Sequence, residues 1–129
     1  MTTPDIAPVI TAMYQALGDR PAFDAHLHPD LTIWESDAPA MLHGVAQLDT
    51  LRDQRAAARP ASDGPVSASV TVAPEDLSTE TWGDTGLARY VLRARHADGS
   101  PDAVFRVTDV LRRDDTGWRI VHHHAEAVS

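Results

Sequence analysis

The chain has 129 residues, 19 acidic and 11 basic side chains, a formal net charge of -8 with His neutral, and no cysteine. That length supports a single core burying roughly two-thirds of the unfolded surface, so residues 1–129 read as one domain. Acidity without any run of basic residues, all of which are Arg, argues against nucleic acid and anionic membrane as partners, and the missing cysteine excludes disulfides, thiolate metal sites and a thiol nucleophile.

Thr3-Pro4-Asp5 is a helix entrance, with Thr3 as N-cap and Pro4 in the first turn. Ile6, Val9, Ile10, Met13, Tyr14 and Leu17 then recur at three- and four-residue spacing, which predicts an amphipathic helix over Pro4–Leu17 ended by Gly18. Pro21 starts a second short helix, Pro21–Leu27, which Pro29 stops. Leu31–Glu35 alternates as a short strand. Ser36–His43 reads as a loop, and Gly44 opens a third helix through about Ala58 with Val45, Leu48, Leu51 and Arg55 on its inner stripe and Asp49, Arg52 and Asp53 facing water. Arg59–Pro65 is a surface connection rich in turn formers.

From Val66 the period changes to two. Val66–Val72 is a strand that Pro74-Glu75-Asp76 breaks or bulges before Leu77–Trp82, and Leu87–Ala97 is a longer strand ended by Asp98-Gly99. Arg89, Arg93 and Arg95 share one face of it, as a subunit interface, an anion site beside the pocket or, the commoner outcome, an outward salt-bridge ladder, between which parity alone does not choose. Ala103–Arg113 and Trp118–Ala125 form a final hairpin. Strict alternation puts Arg106 and Thr108 with Val104 and Val110 on one face, and His122 and His124 with Trp118 and Ile120. Phe105, Val107, Leu111, Arg119, Val121 and His123 then face outward. The predicted architecture is α+β: three N-terminal helices on a strongly curved, mostly antiparallel sheet, closing as a cone with a mouth.

Two stretches carry a family resemblance: Asp24-Ala25-His26-Leu27-His28-Pro29-Asp30-Leu31-Thr32-Ile33-Trp34-Glu35 followed by Leu42-His43-Gly44, and Phe105-Arg106-Val107-Thr108-Asp109-Val110 followed by Gly117 to His124. With them the chain resembles the nuclear-transport-factor-2-like superfamily, within it the SnoaL-like proteins and the association domain of calcium/calmodulin-dependent kinase II. The resemblance implies a conical barrel with a pocket between the first helix and the concave side of the sheet, and a homodimer through the sheet's outer face. Ketosteroid isomerase, in the same superfamily, places an oxyanion-binding Tyr in the first helix and an Asp base at the end of the first strand. The matching positions are Tyr14 and Glu35, with Asp37 a less certain substitute, and the neutral carboxylic acid that isomerase carries on a late strand finds no match, the region offering Thr108 or Arg106 instead.

The residues themselves supply donors and bases for such a pocket. Arg106 presents a planar fork suited to a carboxylate or enolate, and Thr108 and His124 add donors. Trp34 and Trp118 give an apolar setting that raises a carboxylate's proton affinity. Glu35 or His122 is then the base, while Tyr14, Arg106 and His124 hold developing negative charge. His122-x-His124 on a strand is how some metal sites begin, but no metal-binding spacing joins it to a third ligand at His26, His28 or Glu35, and no Gly-rich phosphate loop or nucleophile elbow occurs, so neither metal nor cofactor is expected. Absence of a basic n-region and of any membrane-length apolar run points to a soluble, unprocessed, cytoplasmic protein. Two functions fit: a small-molecule-binding protein that carries out cofactor-free isomerase, cyclase or lyase chemistry on an anionic or carbonyl-bearing compound, and a non-catalytic association or ligand-sensing module whose role is oligomerisation.

Overall fold

A computed structural model describes residues 5–36, 38–58 and 70–128. Three helices, α1 (Ala7–Gln15), α2 (Arg20–Asp24) and α3 (Gly44–Ala58), and six strands, β1 (Leu27–Glu35), β2 (Leu42–His43), β3 (Val70–Trp82), β4 (Thr85–His96), β5 (Ala103–Asp114) and β6 (Gly117–Ala127), make an α+β domain. The strands form one sheet in the order β2-β1-β6-β5-β4-β3. Every pairing is antiparallel except β1 with β6.

Local chemistry explains most boundaries. Asp19 caps α2 by accepting from the Ala22 amide at 3.3 Å, and its early end lets the chain extend from Leu27 rather than Leu31. Pro29 is accommodated inside β1 because the ladder to β6 is irregular between Leu27 and Thr32, so its missing N–H removes no regular bond. Leu42–His43, expected as loop, pairs with Thr32 and Ile33 as a two-residue edge strand. α3 spans the predicted residues. Pro74 lies in β3, the other edge strand, and the expected irregularity falls between Glu75 and Ser78, with Asp76 at a positive φ of 55°. Thr3, Asp37 and the expected Arg59–Pro65 connection and Val66–Ser69 strand start lie outside the described residues.

The core fills the concave side. Ile6 at the N-cap of α1 and Ile10, Met13 and Tyr14 within it meet Leu31 and Ile33 of β1, Tyr90 of β4, Leu111 of β5 and Ile120 of β6. Gly86 lets α1 sit close: a Cβ there would lie 2.9 Å from Ile6 Cδ1 and 3.3 Å from Trp118 Cζ3. Outside, Arg89 pairs with Glu80 at 2.7 Å, Arg93 with Glu75 at 2.8 Å and Arg95 with Glu75 at 3.5 Å, which is the anticipated outward ladder. No helix among the described residues is long and apolar enough to cross a membrane.

Candidate active site

Two features of the final hairpin decide which side chains face the core. On β5, Val107, Asp109 and Leu111 are buried, while Arg106 is exposed. On β6 the ladder slips by one residue: Leu111 pairs with Ile120 but Val110 pairs with His122, leaving Val121 as the extra residue of a bulge. Ile120 therefore points inward as alternation predicts, and every side chain beyond Val121 is reversed. His123 turns in and His122 and His124 turn out.

The expected placement of Arg106, Thr108, His122 and His124 inside the cone is thus corrected, as is the outward placement of Phe105, Val107, Leu111 and His123. Thr108, His122, His124 and Trp34 line a shallow groove of about 400 Å³ on the sheet's outer surface. Within it Thr32 Oγ1 and His122 Nδ1 lie 2.6 Å apart, and Trp34, 57% exposed, meets His124 edge to face at 6.5 Å. Burial and the adjacent His123 and His124 push the His122 imidazole down from its ordinary value, against a smaller opposing effect of Asp109. Trp118 keeps its inward face but packs beside Gly86 and under the Arg113 guanidinium, 5.3 Å from its ring, away from the cavity.

Tyr14 and Glu35, by contrast, share a cavity of about 260 Å³ between α1, α3 and the sheet. Its walls are apolar, with Met13, Phe23, Leu31, Ile33 and Leu92 among them, and its polar groups are Tyr14, Glu35, Arg52, Arg55 and His123. A second space of about 190 Å³ continues past Glu35, Arg55 and His123 toward Phe105. Arg52 does not face water as predicted: it bridges α3 to α2, donating to both Asp24 oxygens at 2.8 and 2.9 Å and to Asp49 at 3.1 Å. Arg55 reaches Glu35 at 3.4 Å.

Behind the cavity wall lies a chain of polar groups that alternation alone did not reveal. The Tyr14 and Tyr90 hydroxyls are 2.7 Å apart, Tyr90 donates to Asp109 Oδ2 at 2.6 Å, and Asp109 Oδ1 lies 2.5 Å from His123 Nδ1. Register builds it: Asp109 stands directly across from His123 on β6 and from Ala88 on β4, and the ring of Tyr90, two pairs further along on the same face, reaches it diagonally. Ala88, fully buried, leaves the room. Asp109 is itself fully buried, and a carboxyl group in such a place needs both of these partners.

Electrostatics follow from that burial. For His123, burial alone favours the neutral ring, but the charge and hydrogen bond of Asp109, with a contribution from Glu35, outweigh it and the imidazole is pushed up. Burial first, then the Asp109 charge, raise the Tyr14 and Tyr90 hydroxyls far above the ordinary phenol range; for Tyr14 the Tyr90 contact opposes the rise. Both stay protonated at all physiological pH. With Nδ1 held by Asp109, the ring nitrogen His123 leaves toward the cavity is Nε2, so the Asp109 contact orients the ring. No group of three or more His, Cys, Asp or Glu among the described residues is arranged to hold a metal ion.

A helix-capped, curved sheet is the cone architecture shared by nuclear-transport-factor-2-like proteins. Residues 6–127 match the SnoaL-like domain, and the chain belongs to that family. Solved structures agree on the fold. An NTF2-like protein of unknown function from Pseudomonas putida KT2440 superposes with a TM-score of 0.78 at 22% identity, covering 95% of this chain and 84% of that one. The CaMKII hub of S. rosetta gives 0.72 at 21% identity, covering 98% and 100%. A candidate ketosteroid isomerase from Parabacteroides distasonis ATCC 8503 gives 0.73 at 17%, covering 99% and 89%. No curated protein matches the chain.

Proposed function

We propose that this SnoaL-like protein binds a small carbonyl or carboxylate compound in the cytoplasm and moves a proton on it without a cofactor, as an isomerase, cyclase or lyase does. His123 takes the part expected of His122, as the acid–base group; Tyr14 faces the ligand oxygen, and Glu35 is the second carboxylate in reach. The observation that carries this reading is Asp109, 0% exposed, spending one oxygen on Nδ1 of a histidine that lines the cavity. A purely structural buried acid would be satisfied by neighbours that do not open onto empty space. At about 260 Å³ the cavity is just below the roughly 300 Å³ at which pockets for drug-sized ligands begin, which favours a compact ligand.

The test is a thermal-shift screen of small ketones and carboxylates, followed by NMR of deuterium uptake at carbon next to the carbonyl in D2O. Accelerated exchange by the wild type, lost in His123→Ala, is the expected result; no ligand and no exchange across the panel would sink the reading. The association-module alternative draws on a different observation, the exposed Trp34 and its groove on the outer face, and on that ground we also infer a homodimer through the sheet.

A further inference from the structure

We propose that Tyr14, Tyr90, Asp109 and His123 form one closed proton relay with both ends in the same cavity, and that its substrate is a small α-hydroxy ketone passing through its enediol. This rests on the proton-transfer reading above and goes beyond it by naming the relay and the class of substrate.

Two facts of geometry motivate it. The contacts run without a gap, at 2.7, 2.6 and 2.5 Å, through Tyr90 and Asp109, both buried. The terminal members, Tyr14 and His123, both line the cavity. A hydrogen-bond chain that merely stabilised the core would have no reason to surface twice in one hollow.

Counting protons gives the chemistry. Each hydroxyl owns one proton, so the chain has two polarities. In the first, Tyr14 donates to Tyr90, Tyr90 to Asp109 Oδ2, a proton is shared between Asp109 Oδ1 and His123 Nδ1, and His123 offers Nε2–H to the cavity while Tyr14 offers a lone pair. In the second, the bonds joining Tyr14, Tyr90 and Asp109 Oδ2 point the other way: Asp109 Oδ2–H donates to Tyr90, Tyr90 to Tyr14, Tyr14 donates to the cavity, and His123 keeps its proton on Nδ1, donating it to Asp109 Oδ1, and presents a bare Nε2. The two hold the same number of protons and the same charge.

A ketone meets the second polarity. Nε2 takes the proton from the α-carbon, the C–H pair becomes C=C, the carbonyl C=O pair moves to oxygen, and Tyr14 protonates that oxygen; successive transfers along the relay leave it in the first polarity. The ligand is now an enediol. In the return step the enediol's other O–H gives its proton to Tyr14, the relay shifts back, and Nε2–H protonates the neighbouring carbon. One C–H and one O–H bond are broken and one of each is formed, with no oxidant, reductant or co-reactant. An ordinary ketone tautomerised once would leave the relay reversed, whereas the two half-steps of an α-hydroxy ketone restore it. Glu35, a third polar group on the cavity, accepts from the additional hydroxyl while the ketone is bound, until the enediol passes that proton to Tyr14. Tyr14 and His123 are the catalytic residues; Tyr90 and Asp109 act through them.

(R)-Acetoin is the probe, because moving its carbonyl through the enediol racemises it. The wild type should accelerate loss of its circular dichroism and uptake of deuterium at carbon in D2O. Tyr90→Phe, which keeps the Asp109–His123 pair and the Tyr14 hydroxyl but cuts the relay, should lower kcat at least tenfold with KM changed less than twofold. If Tyr90→Phe matches wild type while His123→Ala is inactive, the relay is wrong and the Asp–His reading survives. If the wild type exchanges cyclohexanone but leaves acetoin untouched, the substrate class is wrong. If it exchanges neither, both readings fall. A ligand-free check is proton NMR of the far-downfield signals from the short bonds: Tyr14→Phe should move the signal of the Asp109–His123 proton two bonds away, and an unmoved signal overturns the coupling.

Discussion

Asp109 and His123 face each other across the β5–β6 ladder with Oδ1 2.5 Å from Nδ1, the carboxyl fully buried and the imidazole at the cavity wall. The pair ties stability to pH with a definite sign. His123 has a folded pKa above its ordinary 6.5, so its contribution is fully present below that value and is lost as pH rises through the raised folded pKa. His122 is lowered from 6.5, so its contribution is present above 6.5 and is lost as pH falls through the lowered folded value. From these two groups alone stability falls on both sides, toward alkali through His123 and toward acid through His122. Asp109→Asn should bring the His123 titration down, flatten the alkaline limb and destabilise by roughly 1–3 kcal/mol, since the amide reproduces only part of the buried bonding. Urea unfolding from pH 6 to 9 with NMR titration of the ring protons checks it; an unchanged alkaline limb would refute the assignment.

Arg52 joins α2 to α3 beside the cavity. Its side chain is 21% exposed and that of Asp24 18%, so the bidentate contact is partly dry. Arg52→Ala leaves Asp24 uncompensated and is expected to destabilise by about 1–3 kcal/mol, below the range for a fully buried pair. Arg52→Lys should recover little, because an ammonium cannot match both oxygens at once. Equal stability of the Lys variant and wild type in urea melts would show that the fork geometry is unimportant.

What the residues disclosed beforehand divides along physical lines. Helix α3 carries its own boundaries, with Gly44 at φ 85° opening it, and the element order and cone follow from a change of period at one point in the chain. Tyr14 was legible because helical spacing puts it among Ile10 and Met13. Face assignment on β5 was not, since both parities hold apolar residues and either one buries a charged group: Arg106 with Val104 and Val110, or Asp109 with Val107 and Leu111. Only the partners settle it, because Tyr90 and His123 arrive from other strands to satisfy Asp109. The bulge at Val121 has no signature such as Gly or Pro, so alternation carried Trp118 and Ile120 correctly and then ran one residue out of phase through the three histidines.

Gly86 sets how deeply α1 beds into the sheet. Gly86→Ala places a methyl 2.9 Å from Ile6 Cδ1, close enough that the helix entrance must shift, and the expected loss is roughly 1–3 kcal/mol by overpacking. The obstruction is the end of a flexible side chain, so Ile6→Val in the same chain should relieve part of it. A double variant less destabilised than the sum of the singles supports direct contact; strict additivity would refute it.

Trp34 tests the outer face. It is 57% exposed on β1, across from His124, beside a groove that also takes in Thr108 and His122. A large aromatic left so open on a sheet whose other edge is covered by Arg–Glu pairs is what the proposed dimer contact would bury. In a dimer closed by a two-fold axis the same patch is used twice, so one substitution introduces two charges into the interface. Trp34→Glu should therefore convert the proposed dimer to monomer in analytical ultracentrifugation while leaving the far-ultraviolet circular dichroism and the proposed His123-dependent exchange in place. A Trp34→Glu chain that still sediments as the wild type does would remove the outer face as the site of association.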